Sequence, residues 1–160
     1  MKRNLFLFLL LFFIYAYTFP RWASWSQNSR LDLTMALVDE GSLSIDHYYT
    51  NTGDYAEFEG RFYTDKAPGV SFLGVPVYAA YRMVASLPPV THLMEKIARS
   101  PAFAATLNPE GTGVAVDKVY FMGALYAVTM TTIAIPAALL GVLLYVSLGR
   151  VLSDERLRLG

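Results

Sequence analysis

The chain has 160 residues, of which 54% are hydrophobic and 16% charged; its formal net charge is zero and its mean hydropathy is +0.36. Such a chain is too apolar for an ordinary soluble domain and reads as a membrane protein, and its neutral balance gives no electrostatic case for a nucleic-acid partner. The lack of cysteine excludes disulfides, thiol catalysis and thiolate metal sites, while His47 and His92, far apart, supply too few ligands for zinc by themselves, so neither metal nor cofactor is expected.

Lys2-Arg3 precede an uncharged run from Asn4 to Pro20. A helix over these residues spans roughly 25 Å, enough to cross a bilayer with Tyr15, Tyr17, Trp22 and Trp25 at headgroup level. The basic start also fits a signal peptide, but no small-x-small cleavage pattern follows, which favours a retained anchor over residues 1–20. Residues 29–40 are expected to be a juxtamembrane amphipathic helix, with Ser29 as N-cap, Asp32 closing a capping box and Gly41 as stop. Leu31, Met35 and Val38 make one stripe and Leu33 and Leu37 another, while Asp32 and Asp39, seven apart, share the narrow polar face. Asp32 has a second reading, as a carboxylate presented to a site.

From Ser42 to Thr64 the pattern is loop with short extended pieces, and Asn51-Thr52-Gly53-Asp54 is turn chemistry. The aromatics of this segment, Tyr48, Tyr49, Tyr55, Phe58, Phe62 and Tyr63, suit either a sugar pocket or the loop's own packing. Tyr63-Thr64-Asp65-Lys66-Ala67-Pro68 then sets an acid-base pair at the mouth of an apolar run. Thr64 or Asp65 before proline is ordinary helix-start punctuation; equally, Lys66 at a membrane surface is placed to meet a phosphate. The run over residues 68–87 contains Pro76 and Arg82, is short for a span, and reads as a second juxtamembrane helix. Ser100-Pro101 and Asn108 to Gly113 read as a connector.

Residues 119–149 carry no charge and form the clearest span, placed over 118–149. Pro136 should disturb it by depriving the Thr132 carbonyl of a donor. Arg150, Arg156 and Arg158 follow, in a tail over 150–160. Basic residues at both ends place both termini in the cytoplasm and residues 21–117 outside, a multi-pass protein of the cell membrane. The expected fold is mostly α: two transmembrane helices joined by a long external loop carrying juxtamembrane helices.

This order of elements, with Tyr63-Thr64-Asp65-Lys66-Ala67-Pro68 and Ser29-Arg30-Leu31 at the start of the first juxtamembrane helix, resembles the N-terminal part of polytopic GT-C glycosyltransferases of the protein mannosyltransferase-like and aminoarabinose transferase-like group. The resemblance implies a polyprenyl-phosphate-linked sugar as donor, membrane lipid as surroundings, Lys66, Asp65, Arg30 and Tyr63 as substrate-binding residues, and further transmembrane segments beyond this chain, which would be the opening portion of a longer enzyme. The group's acid three positions before the helix arginine is replaced by Gln27, which leaves Asp32 as the nearest catalytic carboxylate. The competing class is a non-enzymatic two-span membrane protein with an external partner-binding or scaffolding domain.

Overall fold

The computed structural model describes residues 2–17, 24–104 and 118–151. It is mostly helical and divides into two compact units, Met1–Phe19 with Thr129–Gly160, and Pro20–Val128. Trp22, the Asn108 to Gly113 connector and the charged residues after Val151 lie outside the described residues.

The first unit packs helix α1 (Lys2–Tyr17) against α7 (Ile135–Val151) and the π-helical turn Met130–Ala134 before it. The turn has a local cause. Pro136 has no amide to give, and one residue earlier the Ile135 N–H closes on the Met130 carbonyl, a five-residue step in place of the α-helical four. The helix disturbance expected at Pro136 is therefore present as a widened turn. Along the contact, the Arg3 guanidinium carbon lies 5.1 Å from the Tyr145 ring centre and the Leu11 side chain packs on Gly141, so the two helices run in opposite senses. Their other faces are apolar and exposed, with Leu5, Phe6, Phe13 and Ile14 on α1 and Leu139, Leu140, Leu143 and Leu144 on α7. Among the described residues, one helix, Lys118–Gly149, is long and apolar enough to cross a membrane, and the bent pair Gly69–Ala85 with Pro88–Ala98 meets the same measure only when taken together. α1, with 16 residues, is shorter.

The second unit is built around α2 (Trp25–Asp39), which packs on α3 (Gly69–Ala85). Both apolar stripes of α2 are used. Leu31 and Met35 join Tyr78 of α3 and Phe121, Ala124, Leu125 and Val128 of α6 (Lys118–Thr129), with Val38 at the margin. Leu33 joins Ala36 and Ile45 in a second cluster flanked by Leu37, Tyr49 and Phe62. Covered on both sides, α2 is the buried core of its unit, not the interfacial helix its stripes suggest. Its start is also corrected: the N-cap is Ser24, and Ser29 and Asp32 lie buried within the helix, so the capping box does not form. Gly41, at φ +63°, does end it, with the Ser42 N–H reaching back to the Ala36 carbonyl.

Between α2 and α3 runs a hairpin, β1 (Tyr55–Phe58) antiparallel to β2 (Arg61–Thr64), where the sequence suggested only extended pieces. Its two-residue turn, Glu59-Gly60, has φ of +51° and +75°, the twist that closes a tight hairpin. An isolated hairpin is marginal in water, and Asp46 holds this one down. Its carboxylate accepts the Phe62 N–H at 2.7 Å and the Arg61 Nε at 3.2 Å, while the Ile45 N–H bonds the Phe62 carbonyl at 2.8 Å. The Phe62 amide, above all, keeps the Asp46 carboxyl below the usual range. Tyr49 stacks on Phe62 at 3.9 Å and Tyr55 meets it edge-on, so these aromatics serve the loop's own packing.

α3 begins at an N-cap, Pro68, with no side-chain cap, so neither Thr64 nor Asp65 has the punctuation role open to them in the sequence. After α3 the chain does not pass straight to a connector. Pro88 and Pro89 open a further helix, α4 (Pro88–Ala98), bent 88° from α3, and a short α5 (Pro101–Ala104) follows.

Candidate functional site

Two polar clusters grow from α2 in the larger unit. The first surrounds Lys66. The Ser29 hydroxyl donates to the Asp54 carbonyl at 2.7 Å and lies 2.6 Å from Thr64 Oγ1, which in turn accepts the Lys66 N–H at 3.2 Å. This chain of bonds fixes the backbone of the Asp65-Lys66 turn on the core helix. The Lys66 ammonium sits between carboxylates, 2.9 Å from Asp54 and 3.1 Å from Asp65, and these partners, Asp54 first, hold it above the ordinary lysine range. Lys66 and Asp65 are thus brought together with Asp54, an acid the sequence suggested only as part of a turn.

Arg30, Tyr63 and Asp32 take other places. The Arg30 guanidinium folds back on its own helix, donating to the Ser26 carbonyl at 2.8 Å and the Ser26 hydroxyl at 2.7 Å. Tyr63 is half-buried on β2, paired with Ala56. Asp32 is wholly buried: Oδ1 accepts the Asn51 amide at 3.1 Å, and Oδ2 has no hydrogen-bond partner. Burial pushes its carboxyl well above the usual range, and the Asn51 bond only partly opposes this.

The second cluster was not assembled from the sequence. A cavity of about 460 Å³ opens between α2, the Tyr49–Asn51 turn, α3 and α6. At its centre is Asp39, whose Oδ1 pairs with Arg82 at 2.7 Å and whose Oδ2 accepts the Tyr78 hydroxyl at 2.8 Å and the Tyr48 hydroxyl at 3.0 Å. The Tyr120 hydroxyl donates to Tyr78 at 3.0 Å. Burial, with the Asp39 charge adding to it, raises the Tyr48 phenol above its ordinary value, so it stays a neutral donor. Asn51 lines the cavity on one side and holds Asp32 on the other, with its own carbonyl bonded by the Asn28 amide at 2.8 Å. Asp32 therefore stands behind the cavity wall.

Signals for this cluster existed. Asp39 shares the polar face with Asp32, and Arg82 is a lone cation in an apolar run, one turn after Tyr78. A charge in such a run needs a partner, and Asp39 is that partner. Among the described residues, no three His, Asp or Glu side chains come together as metal ligands. No known protein family, curated protein or solved structure matches the chain.

Proposed function

We propose that this chain is the N-terminal region of an integral membrane glycosyltransferase that moves a sugar from a polyprenyl-phosphate donor to an external acceptor, with α1 and the Lys118–Gly149 helix crossing the bilayer. The observation that carries the reading is the Lys66 turn. It holds a cation in a fixed backbone frame immediately before a helix whose exposed Phe72 and Leu73 suit a lipid surface. An ammonium has three donors and two are engaged by carboxylates, so a phosphate oxygen can take the third or displace the exposed Asp65. Neutralising the leaving phosphate is the step asked of Lys66. Asp32, sealed behind Asn51, acts in this reading by positioning Asn51 and does not touch the acceptor. The exposed apolar faces of α1 and α7 support a lipid-facing pair.

A non-enzymatic two-span protein is the competing reading, favoured by the two carboxylates that already answer the Lys66 charge. Both are tested by assaying transfer from polyprenyl-phosphate sugars in membranes containing the full-length protein. Lys66→Ala should lower transfer roughly 10-fold or more, the loss of one charge-assisted contact, with Lys66→Arg intermediate. Unchanged transfer in Lys66→Ala rules out the phosphate role, and no transfer by the wild-type protein favours the scaffold.

A further inference from the structure

Arg82 lines the cavity with more donors than the wall uses. A guanidinium holds five N–H groups in one rigid plane. Nη1 meets Asp39 Oδ1 at 2.7 Å, and among the described residues nothing else engages this head group, which leaves its Nε–Nη2 edge open. The side chain is 53% exposed, so a solute can reach it. Other polar groups of the wall are already committed: the Tyr48 and Tyr78 hydroxyls to Asp39, the Tyr120 hydroxyl to Tyr78 and the Asn51 amide to Asp32. Asp39 therefore has three donors, and Arg82 does not have to answer its charge alone.

The open edge selects an acceptor by shape. Its two parallel N–H groups match the two oxygens of one carboxylate, and a charge-assisted pair of this kind is stronger than a bond to a neutral oxygen. Charge limits the ligand to a monoanion. Arg82 is the one lysine or arginine on the lining and it already faces Asp39, so a dianionic phosphate would meet more repulsion from that carboxylate than a single charge does. The remaining surface is largely aromatic, with Phe121 and the Tyr78 and Tyr120 rings, the last two edge-to-face at 6.4 Å. Such walls pack against an apolar body. The volume, about 460 Å³, falls in the range of small-molecule sites.

We infer that this cavity binds a small monocarboxylate with an apolar body, its carboxylate paired bidentately with the Nε–Nη2 edge of Arg82 and its body against the Tyr78, Tyr120 and Phe121 rings. Asp39 is a positioning residue that holds the guanidinium. The site is separate in its residues from the Lys66 turn, and it stands whether or not the chain belongs to a transferase.

The test is ligand-observed NMR on the detergent-solubilised chain, with benzoate, phenylacetate and hexanoate, the matching neutral amides, inorganic phosphate, and empty micelles as the background. At least one acid should bind, with its amide weaker by about tenfold, equivalent to about 1.4 kcal/mol, and phosphate should not displace it. Arg82→Lys keeps the charge but loses the fork and should weaken the acid by about tenfold, Arg82→Gln by more, while Lys66→Ala leaves it unchanged. Circular dichroism and elution volume show whether the variants fold. If they do not, the Arg82 Nε–H resonance of the wild-type protein decides, because it should shift with the acid and not with the amide. Absence of binding by all three acids, equal binding of acid and amide, displacement by phosphate, an unmoved Arg82 resonance, or wild-type affinity in folded Arg82→Gln overturns the inference. Binding lost in Lys66→Ala but kept in Arg82→Gln puts the carboxylate at the Lys66 turn and overturns it too. Acid binding without sugar transfer by the full-length protein retains the cavity assignment and removes the enzyme reading; transfer without acid binding does the reverse.

Discussion

Asp32 carries a carboxyl into the packed interior of the larger unit, where one oxygen has the Asn51 amide and the other has no partner. A buried charge without full hydrogen bonding destabilises the fold, which is why its pKa rises. The linkage has a definite sign. The folded protein binds this proton more tightly than the unfolded chain, so the stability associated with it is fully present below the ordinary value of 3.8 and is lost as pH rises towards and through the elevated folded value. Asp32→Asn keeps an acceptor for Asn51 and removes the charge. It should raise stability at pH values above the folded pKa by about 1–3 kcal/mol and flatten the pH dependence above 3.8. Asp32→Ala strands the Asn51 donor and should give no such gain. Thermal unfolding of the three proteins across a pH series checks the ranking; a wild-type profile parallel to that of Asp32→Asn would show that Asp32 does not titrate in this way.

At the level of elements, α2, α3 and α6 approach closely because Gly74 has no side chain. A Cβ there would lie 3.1 Å from both the Thr34 side chain and Val128 Cγ1. The contact is reinforced by a reciprocal pair of bonds, Ser71 Oγ to the Arg30 carbonyl at 2.9 Å and Thr34 Oγ1 to the Ser71 carbonyl at 3.1 Å. Gly74→Val should cost about 1–3 kcal/mol by overpacking, despite the gain of replacing a helical glycine. A denaturation midpoint equal to wild type would show that the helices can separate at no cost. Which parts of this arrangement were legible follows from the same chemistry. Periodicity identified both α2 stripes because each buries against a different neighbour, and proline located the π-turn because a missing amide has a fixed address. The hairpin escaped because its turn is Glu59-Gly60, a weak signal, whereas the stronger turn residues Asn51 to Asp54 bind back onto α2. Ser29 looked like a cap because its hydroxyl seeks a local amide in most contexts, but here it meets Asp54 and Thr64, partners distant in sequence. The cavity was hidden for that reason too: Asp39 and Arg82 are 43 positions apart (82 − 39) and only the fold joins them.

For the whole molecule, α3 with α4 decides how many crossings the proposed membrane topology contains. α3 has 17 residues, about 25 Å of helix, and Arg82 with its Asp39 partner sits near its end. Crossing there would draw that ion pair towards hydrocarbon, where charge is costly. The 88° bend into α4, whose Leu93 and Ile97 are exposed on one face while Glu95, Lys96 and Arg99 are polar, instead suits a helix pair that meets the membrane surface and turns along it. The natural absence of cysteine makes the alternatives separable. Single cysteines replacing Glu57 on the hairpin and His92 on α4, both exposed, should be labelled from outside intact cells by an impermeant thiol reagent. A cysteine replacing Ser153 should react only after the membrane is opened, because the proposed topology puts the basic flanks Lys2-Arg3 and Arg150 on the cytoplasmic side. Labelling at Glu57 with protection at His92 would mean that α3 crosses and the external unit is divided by the bilayer. Protection at both positions would overturn the external placement of the Lys66 turn and, with it, transfer to an external acceptor.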